Sequence, residues 1–368
     1  MFAGGGTGGH LFPGIAVAEA ARRRDPRAEV LFVGSERGIE SRAVPASGFP
    51  LEALPITPLR GQGACKKIAA LGAFAAALFR ARAVVAHFAP DAVIGLGGYA
   101  SAPPVVAARL SRRPILLLEQ NARPGLTTRC LARVADRVCV SFPETAGHFR
   151  AGKAVITGNP IRWQAGSAAD VSGPIDASGQ SGERRGFTIL VFGGSAGARR
   201  LNQAGPAMRA ALGDLPDLRV IHQTGSSAEE EVRQAYAALN AHAEVHAFIA
   251  DMSTAYSAAD LVICRAGATT VAEIAGLGKP AILVPYPYAA DDHQRANAQS
   301  LARAGAACMV LDAEATGERL AAEVRALRAS PERLAEMRRR VRQFGRPDAA
   351  ERVLETLAAV VRERAKSH

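Results

Sequence analysis

Two glycine-rich turns carry the clearest chemical signal in the chain. Ala3-Gly4-Gly5-Gly6-Thr7-Gly8-Gly9-His10 and Phe192-Gly193-Gly194-Ser195-Ala196-Gly197-Ala198 each stand between a short apolar run and a stretch of helical period. Glycine lets the backbone approach a bound group closely, and the helix that follows aims unpaired N–H donors and a positive dipole end at an anion. Each turn is therefore a candidate phosphate cradle. His10, set against the first, reads as a functional group rather than an ordinary helix-start histidine. A third stretch, Arg265-Ala266-Gly267-Ala268-Thr269-Thr270-Val271-Ala272-Glu273, predicts a helix from near Ala268 with Glu273 in its first turns. A carboxylate there accepts two hydrogen bonds from the vicinal hydroxyls of a ribose while the helix N-terminus faces an attached diphosphate. The plainer role for Glu273 is to complement the helix dipole. Asp292-His293-Gln294 and Asn297 follow, polar side chains suited to sugar hydroxyls or an acetamido group.

Two other chemistries fit parts of this pattern. Gly4 to Gly9 satisfies G-x-G-x-x-G with Glu36 beyond a second strand, as in dinucleotide-dependent dehydrogenases. Glycines this dense satisfy many patterns, and Gly8-Gly9-His10 with Pro13 is the more specific feature. Gly193-Gly194-Ser195-Ala196-Gly197 satisfies G-x-S-x-G, with His293 and Asp260 or Asp292 available for a hydrolase triad. The second glycine turn and the lack of a clear oxyanion loop favour Ser195 as a phosphate ligand over a nucleophile.

The elements that must hold these residues alternate along the chain. Short β-branched runs give way to longer alanine-rich segments, the pattern of parallel strands joined by crossover helices. The spacing predicts strands at Val30–Val33, Ala92–Ile94, Ile115–Leu118 and Val138–Val140, then at Thr188–Phe192, Val220–His222, Val245–Phe248, Leu261–Cys264 and Ile282–Val284. Gln164–Gly186, rich in Gly, Ser, Ala and Asp, reads as a linker between two α/β domains. A length of 368 residues suits two domains of roughly 150 each. Only Met1, Phe2 and Ala3 precede the first glycines, which leads to the expectation that strand residues lie upstream of this start.

Lys plus Arg number 45 against 34 Asp plus Glu, a net charge of +11 that favours an anionic partner. Arg333, Arg338, Arg339, Arg340 and Arg342 cluster in Pro331–Gln343, but no recognition motif accompanies them and aromatics are 5%, which argues against nucleic acid. Five scattered cysteines, Cys65, Cys130, Cys139, Cys264 and Cys308, read as buried thiols of a reducing cytoplasm. No apolar run is long enough to cross a membrane, and no signal peptide is evident. Lys66–Arg82 sets Ile68, Leu71, Ala75, Leu78 and Phe79 at helical spacing, with Phe74 at the edge and Lys66, Lys67, Arg80 and Arg82 bordering them. Such a helix packs on a core, or lies on a membrane with its basic residues reaching anionic head groups.

Taken together, the residues resemble the MurG family of bacterial cell-wall glycosyltransferases over nearly the whole chain outside Gln164–Gly186. The resemblance rests on Gly5-Gly6-Thr7-Gly8-Gly9-His10 with Pro13, Gly97-Gly98-Tyr99-Ala100-Ser101-Ala102-Pro103, Glu119-Gln120-Asn121, Thr157-Gly158-Asn159-Pro160-Ile161-Arg162, Gly193-Gly194-Ser195, Arg265 through Glu273, and Gln294 with Asn297. It implies an α/β, GT-B architecture of two Rossmann-like, doubly wound domains facing across a cleft. The expected divisions are 1–160, a linker at 161–186, and 187–344, with a helix at about 345–368 returning to the first domain.

The implied reaction moves N-acetylglucosamine from UDP-N-acetylglucosamine (UDP-GlcNAc) to the muramyl 4-hydroxyl of an undecaprenyl-diphosphate-linked muramyl-pentapeptide, with inversion. On this resemblance Glu273 grips the ribose, Ile249 lines the uracil site, Ser195 with Ala268, Thr269 and Thr270 binds the diphosphate, and Val271 and Ala272 belong to the same donor site. Arg162 and Gln294 complete the donor pocket. Thr7, Gly8, Gly9 and Asn121 face the transferred sugar, and Gly97, Gly98 and Tyr99 the acceptor. His10 is the candidate base. Ala196 and His293 stand where the family often has Gln. The resemblance further implies the cytoplasmic face of the inner membrane, reached through Lys66, Lys67, Ile68, Leu71, Phe74, Leu78 and Phe79, and no cofactor. Transferases that hold a metal through D-x-D use it to meet the charge of the departing nucleotide, and this sequence contains no D-x-D. Two helix N-termini can meet that charge instead, so no metal site is expected.

Overall fold

The computed structural model describes residues 1–36, 38–56, 64–161, 186–194 and 197–366, the side chains of 64–71 excepted. The chain divides into two compact units, Met1–Arg162 with Arg346–His368, and Trp163–Gly345. In the first, β1 (Phe2–Gly4), β2 (Phe32–Ser35), β3 (Leu51–Leu54), β4 (Val93–Gly97), β5 (Ile115–Glu119), β6 (Arg137–Val140) and β7 (Ala154–Ile156) form one parallel sheet in the order β3-β2-β1-β4-β5-β6-β7. Helices α1 (Gly8–Arg24), α2 (Glu40–Ala46), α3 (Ala64–Phe88), α4 (Ala102–Leu110) and α5 (Leu126–Leu131) connect these strands. Along β5, Ile115 and Leu117 join a cluster with Val33, Val138 and Val85 of α3. Leu116 and Leu118 join another with Phe32 and with Leu11 and Ile15 of α1. Successive side chains take opposite faces and both faces are covered, so the strand reads as one apolar run. Burying each such Leu or Ile contributes roughly 1.5–3 kcal/mol.

The second unit repeats the plan. Strands β8 (Thr188–Phe192), β9 (Arg219–Gln223), β10 (Glu244–His246), β11 (Leu261–Cys264), β12 (Ala281–Leu283) and β13 (Cys308–Met309) lie parallel in the order β10-β9-β8-β11-β12-β13. Its helices are α6 (Arg199–Ala211), α7 (Glu229–Ala238), α8 (Met252–Ala258), α9 (Ala268–Leu277), α10 (His293–Arg303), α11 (Gly317–Arg328) and α12 (Pro331–Arg342). The last helix, α13 (Ala349–Ala365), belongs to the first unit: Val353 enters the α1 cluster, Arg364 lies 2.8 Å from Asp136, and Arg137 lies 3.0 Å from Glu363. In a doubly wound sheet, ligands bind beyond the carboxyl ends of the strands where the order reverses. That point lies between β1 and β4 in one unit and between β8 and β11 in the other. Three of these four strands lead into the motifs singled out above, and β4 leads into Gly98-Tyr99.

The structure corrects several expectations. The strands expected at Val30–Val33 and Val245–Phe248 sit at Phe32–Ser35 and Glu244–His246, and β3, β7 and β13 were not foreseen. On α3, which is longer than expected, Ala77, Ala81 and Val85 are buried and Leu78 packs beside them, whereas Phe79 is 82% exposed and Ala75 is also outside. Leu78 and Phe79 thus serve different faces. Cys130 is exposed rather than buried. The basic cluster of Pro331–Gln343 is tied locally, with Arg339 and Arg340 both paired to Glu336. The linker at 164–185 and the side chains of Cys65, Lys66, Lys67, Ile68 and Leu71 lie outside the described residues.

Candidate functional site

At the first reversal point, Thr7 is the N-cap of α1 in extended conformation, and its Oγ1 lies 2.9 Å from His10 Nδ1. With the proton on Nδ1 donated to that hydroxyl, Nε2 keeps its lone pair for an incoming proton. Gly97, the last residue of β4, and Gly98 just beyond it have φ of 93° and 71°. A Cβ on Gly97 would fall 3.0 Å from His10 Cδ2, and one on Gly98 would fall 2.7 Å from the Gly5 carbonyl oxygen. Conformation and space both demand glycine there. The Tyr99 ring comes close to Gly6. One strand further on, the buried Glu119 carboxylate accepts N–H bonds from Asn121 and Gly125, each at 3.1 Å, which sets the turn carrying Asn121. Burial pushes the Glu119 carboxyl up against the pull of these bonds.

Glu40 was missed. Fully buried at the start of α2, it accepts the Gly6 N–H at 2.9 Å, the Ser35 N–H at 2.9 Å and the Ser35 hydroxyl at 2.7 Å, so it braces the glycine turn. The acid built into the turn beyond β2 is therefore Glu40, while Glu36 stands exposed just past the end of β2. Asn159, also buried, has no hydrogen-bond partner for its side-chain amide among the described residues.

In the second unit α9 starts at Ala268, with Gly267 as N-cap. The N–H groups of Ala268, Thr269 and Thr270 fall in the first turn, where a helix offers no acceptor of its own. Thr269 Oγ1 is buried there without a hydrogen-bond partner among the described residues. Val271 departs from the donor role expected of it: its N–H bonds to Gly267 and its side chain is 3% exposed. Ala272 follows it inside the helix. Tyr256 of α8 donates its hydroxyl to Glu273 Oε2 at 2.8 Å, and burial pushes the Glu273 carboxyl up to about 7 while that bond pulls it down.

Beyond the ends of β8 and β11, a cavity of about 720 Å³ is lined by Gly193, Gly197, Arg199, Arg200, Arg265, Gln294 and Asp312, among others. Three arginines against one aspartate give it positive charge suited to a diphosphate. Arg265 is held by the Val284 and Pro285 carbonyls at 3.1 and 3.3 Å and by Asp312 at 2.5 Å. Gln294 accepts the Tyr286 N–H at 3.0 Å. Asn297, expected to read a sugar, is instead fully buried and donates to the Ala266 carbonyl at 3.1 Å, holding the Arg265–Gly267 turn. Gln223, unforeseen, donates to the Gly194 carbonyl at 3.0 Å and accepts the Ile249 N–H at 2.8 Å, coupling the glycine turn to the position expected at uracil.

The hydrolase alternative fails on placement. Asp260 accepts the Thr188 N–H at 2.9 Å, at the start of the five-residue β8, whereas Gly193 follows its end. At about 3.3 Å per residue the two lie roughly 16 Å apart. His293 Nδ1 already lies 2.6 Å from the Ala290 carbonyl oxygen. The expected sites at Arg162, Ser195 and Ala196 lie outside the described residues. Of the others, Thr7, His10, Gly97, Gly98, Tyr99 and Asn121 share one sheet edge, and Ile249, Ala268–Glu273 and Gln294 share the other.

Comparison with known proteins covers both units. The glycosyltransferase family 28 N-terminal domain matches residues 1–140 and the corresponding C-terminal domain residues 188–353. A protein of Geobacter sulfurreducens, named UDP-N-acetylglucosamine--N-acetylmuramyl-(pentapeptide) pyrophosphoryl-undecaprenol N-acetylglucosamine transferase, is 44% identical over 99% of each chain. The crystal structure of MurG from Acinetobacter baumannii superposes with a TM-score of 0.79 at 35% identity, covering 98% of each chain. A UDP-N-acetylglucosamine 2-epimerase structure superposes at 0.68 with 16% identity, over 97% of this chain and 94% of that one, which shows a common fold alone.

Proposed function

The chain belongs to glycosyltransferase family 28, among its MurG transferases, and on that premise we propose that it moves N-acetylglucosamine from UDP-GlcNAc to the muramyl 4-hydroxyl of an undecaprenyl-diphosphate-linked muramyl-pentapeptide, with inversion. The second unit takes the donor. Glu273 accepts the two ribose hydroxyls, the Ile249 segment meets uracil, and the first turn of α9 with Thr269, Thr270 and Ser195 meets the diphosphate. Arg162 and Gln294 complete the pocket. The first unit takes the acceptor along Gly97, Gly98 and Tyr99, with Thr7, Gly8, Gly9 and Asn121 toward the transferred sugar.

In the reaction the muramyl oxygen forms its bond to the anomeric carbon as the bond from that carbon to the UDP oxygen breaks on the opposite face. His10 Nε2 receives the hydroxyl proton, and the leaving diphosphate keeps the electron pair. Charge developing on that oxygen meets the α9 N–H donors and the arginines of the cavity, groups oriented before reaction begins. We further propose that α3 rests on the cytoplasmic membrane surface through Phe79 and Phe74, with Lys66, Lys67, Arg80 and Arg82 reaching anionic head groups.

The observation that carries this reading is the arginine-lined cavity at the second reversal point, bounded by Gly193 and Arg265, with the helix that bears Glu273 starting three residues after Arg265. Incubation with labelled UDP-GlcNAc and a short-chain lipid acceptor, followed by chromatography, tests it. A labelled disaccharide lipid is expected, formed at an undiminished rate in chelator. Free sugar-nucleotide epimer without acceptor would replace the reading with an epimerase, and loss of turnover in chelator restored only by metal would refute the charge assignment.

A further inference from the structure

Glu273 is held by a neighbour that reaches it from another helix. Tyr256 lies on α8, whose N-cap Asp251 accepts the Thr254 N–H at 3.2 Å. The Tyr256 ring is fully buried and meets Phe192 edge-on, with centroids 5.8 Å apart and planes at 88°. Phe192 is the last residue of β8, immediately before the second glycine turn. One rigid side chain therefore touches the strand that delivers the glycine turn and, through its hydroxyl, the carboxylate on α9.

We propose that Tyr256 is the positioning residue of the donor site, aiming the Glu273 carboxylate and holding it ionised as a double acceptor for the ribose hydroxyls. The inference rests on the donor reading given above. An ionised carboxylate accepts from two hydroxyls with one oxygen for each and with charge-assisted bonds, whereas protonation turns one oxygen into a donor and weakens the pair. Burial works against that form and places the group at about 7, whereas the tyrosine hydrogen bond works for it. Tyr256 stays a permanent donor, since burial and the adjacent Glu273 and Cys264 hold its phenol well above the usual range. Cys264, at the end of β11, is the other ionisable group beside the pair, and burial keeps its thiol protonated. From α12, Arg338 and Arg342 act with Asp260 on Lys279, beyond the far end of α9. His293, Arg295 and Arg303 are on α10, which also packs on α9. Burial pushes the Glu273 carboxyl up and the Tyr256 hydrogen bond opposes it.

The test is UDP-GlcNAc binding by titration calorimetry from pH 6 to 9, with the full chain and its Tyr256→Phe and Glu273→Gln variants. In the unaltered protein affinity rises with pH through about 7, as the carboxylate ionises. Tyr256→Phe keeps the ring and its contact with Phe192, so folding is preserved. It should move this rise upward by about one pH unit, costing nearly tenfold in affinity at pH 6, about fivefold at pH 7 and little at pH 9. Glu273→Gln should bind weakly at every pH. An equal loss at all pH values in Tyr256→Phe, or a curve superimposable on the unaltered one while Glu273→Gln binds weakly, overturns the positioning role alone. Unchanged affinity in Glu273→Gln overturns the donor reading and this inference with it.

Discussion

His10 occupies a pocket that no larger neighbour would leave open, because Gly97 and Gly98 bring their backbone against the ring and Thr7 holds Nδ1. Removing the imidazole by His10→Ala should lower kcat about 10²–10⁴-fold while UDP-GlcNAc affinity stays within twofold. Steady-state rates with the lipid acceptor decide it, and a loss below tenfold would strip His10 of the base role. His10, Glu273 and the two glycine turns were legible in the sequence because their types are signals in themselves: a flexible backbone, a titratable ring, an acid placed early in a helix. Glu40 and Gln223 gave no such signal, and Asn297 gave one that pointed to a sugar rather than to the Ala266 carbonyl. Each spends its polar atoms wholly or partly on backbone groups brought near by tertiary folding, and linear spacing does not encode that proximity. Tyr256 was hidden for the same reason, its target lying on a different helix.

Among the elements, α3 shows how a stripe chosen by period alone can straddle two faces. Leu78 packs on the core with Ala81 and Val85 nearby, while Phe79 stands in solvent. Phe79→Glu should therefore weaken binding to anionic vesicles in a flotation assay and leave the melting temperature in place. Leu78→Glu should instead destabilise the fold by on the order of 2 kcal/mol by forcing a carboxylate against apolar neighbours. Equal vesicle binding by Phe79→Glu and the unaltered chain would remove α3 as the contact. The strands divide on similar grounds. β5 and β8, covered on both faces, announce themselves as apolar runs. β3, β7 and β13 are short or half-exposed pieces near or at the sheet margins, where pairing on one side is enough to define a strand without an apolar run. α9 was placed correctly because β11 ends in a glycine turn that admits only a helix start.

For the molecule as a whole, two-domain α/β architecture followed from alternation and length, whereas the return of the last helix was expected only from the family resemblance. The first unit is interrupted: it stops at Arg162 and resumes at Arg346, where α13 returns to cover α1. Val353 contributes to that core, and Arg364 and Glu363 tie the helix to Asp136 and Arg137. Deleting 349–368 should expose apolar surface on the first unit, lowering its unfolding temperature by several degrees and leaving that of the second unchanged in calorimetry. A single transition at the unaltered temperature would contradict this. The same interruption orders events during synthesis. The inserted body is translated in full before its host acquires its closing helix, so a nascent chain that has just emerged through residue 345 carries one finished lobe and one still lacking its cover.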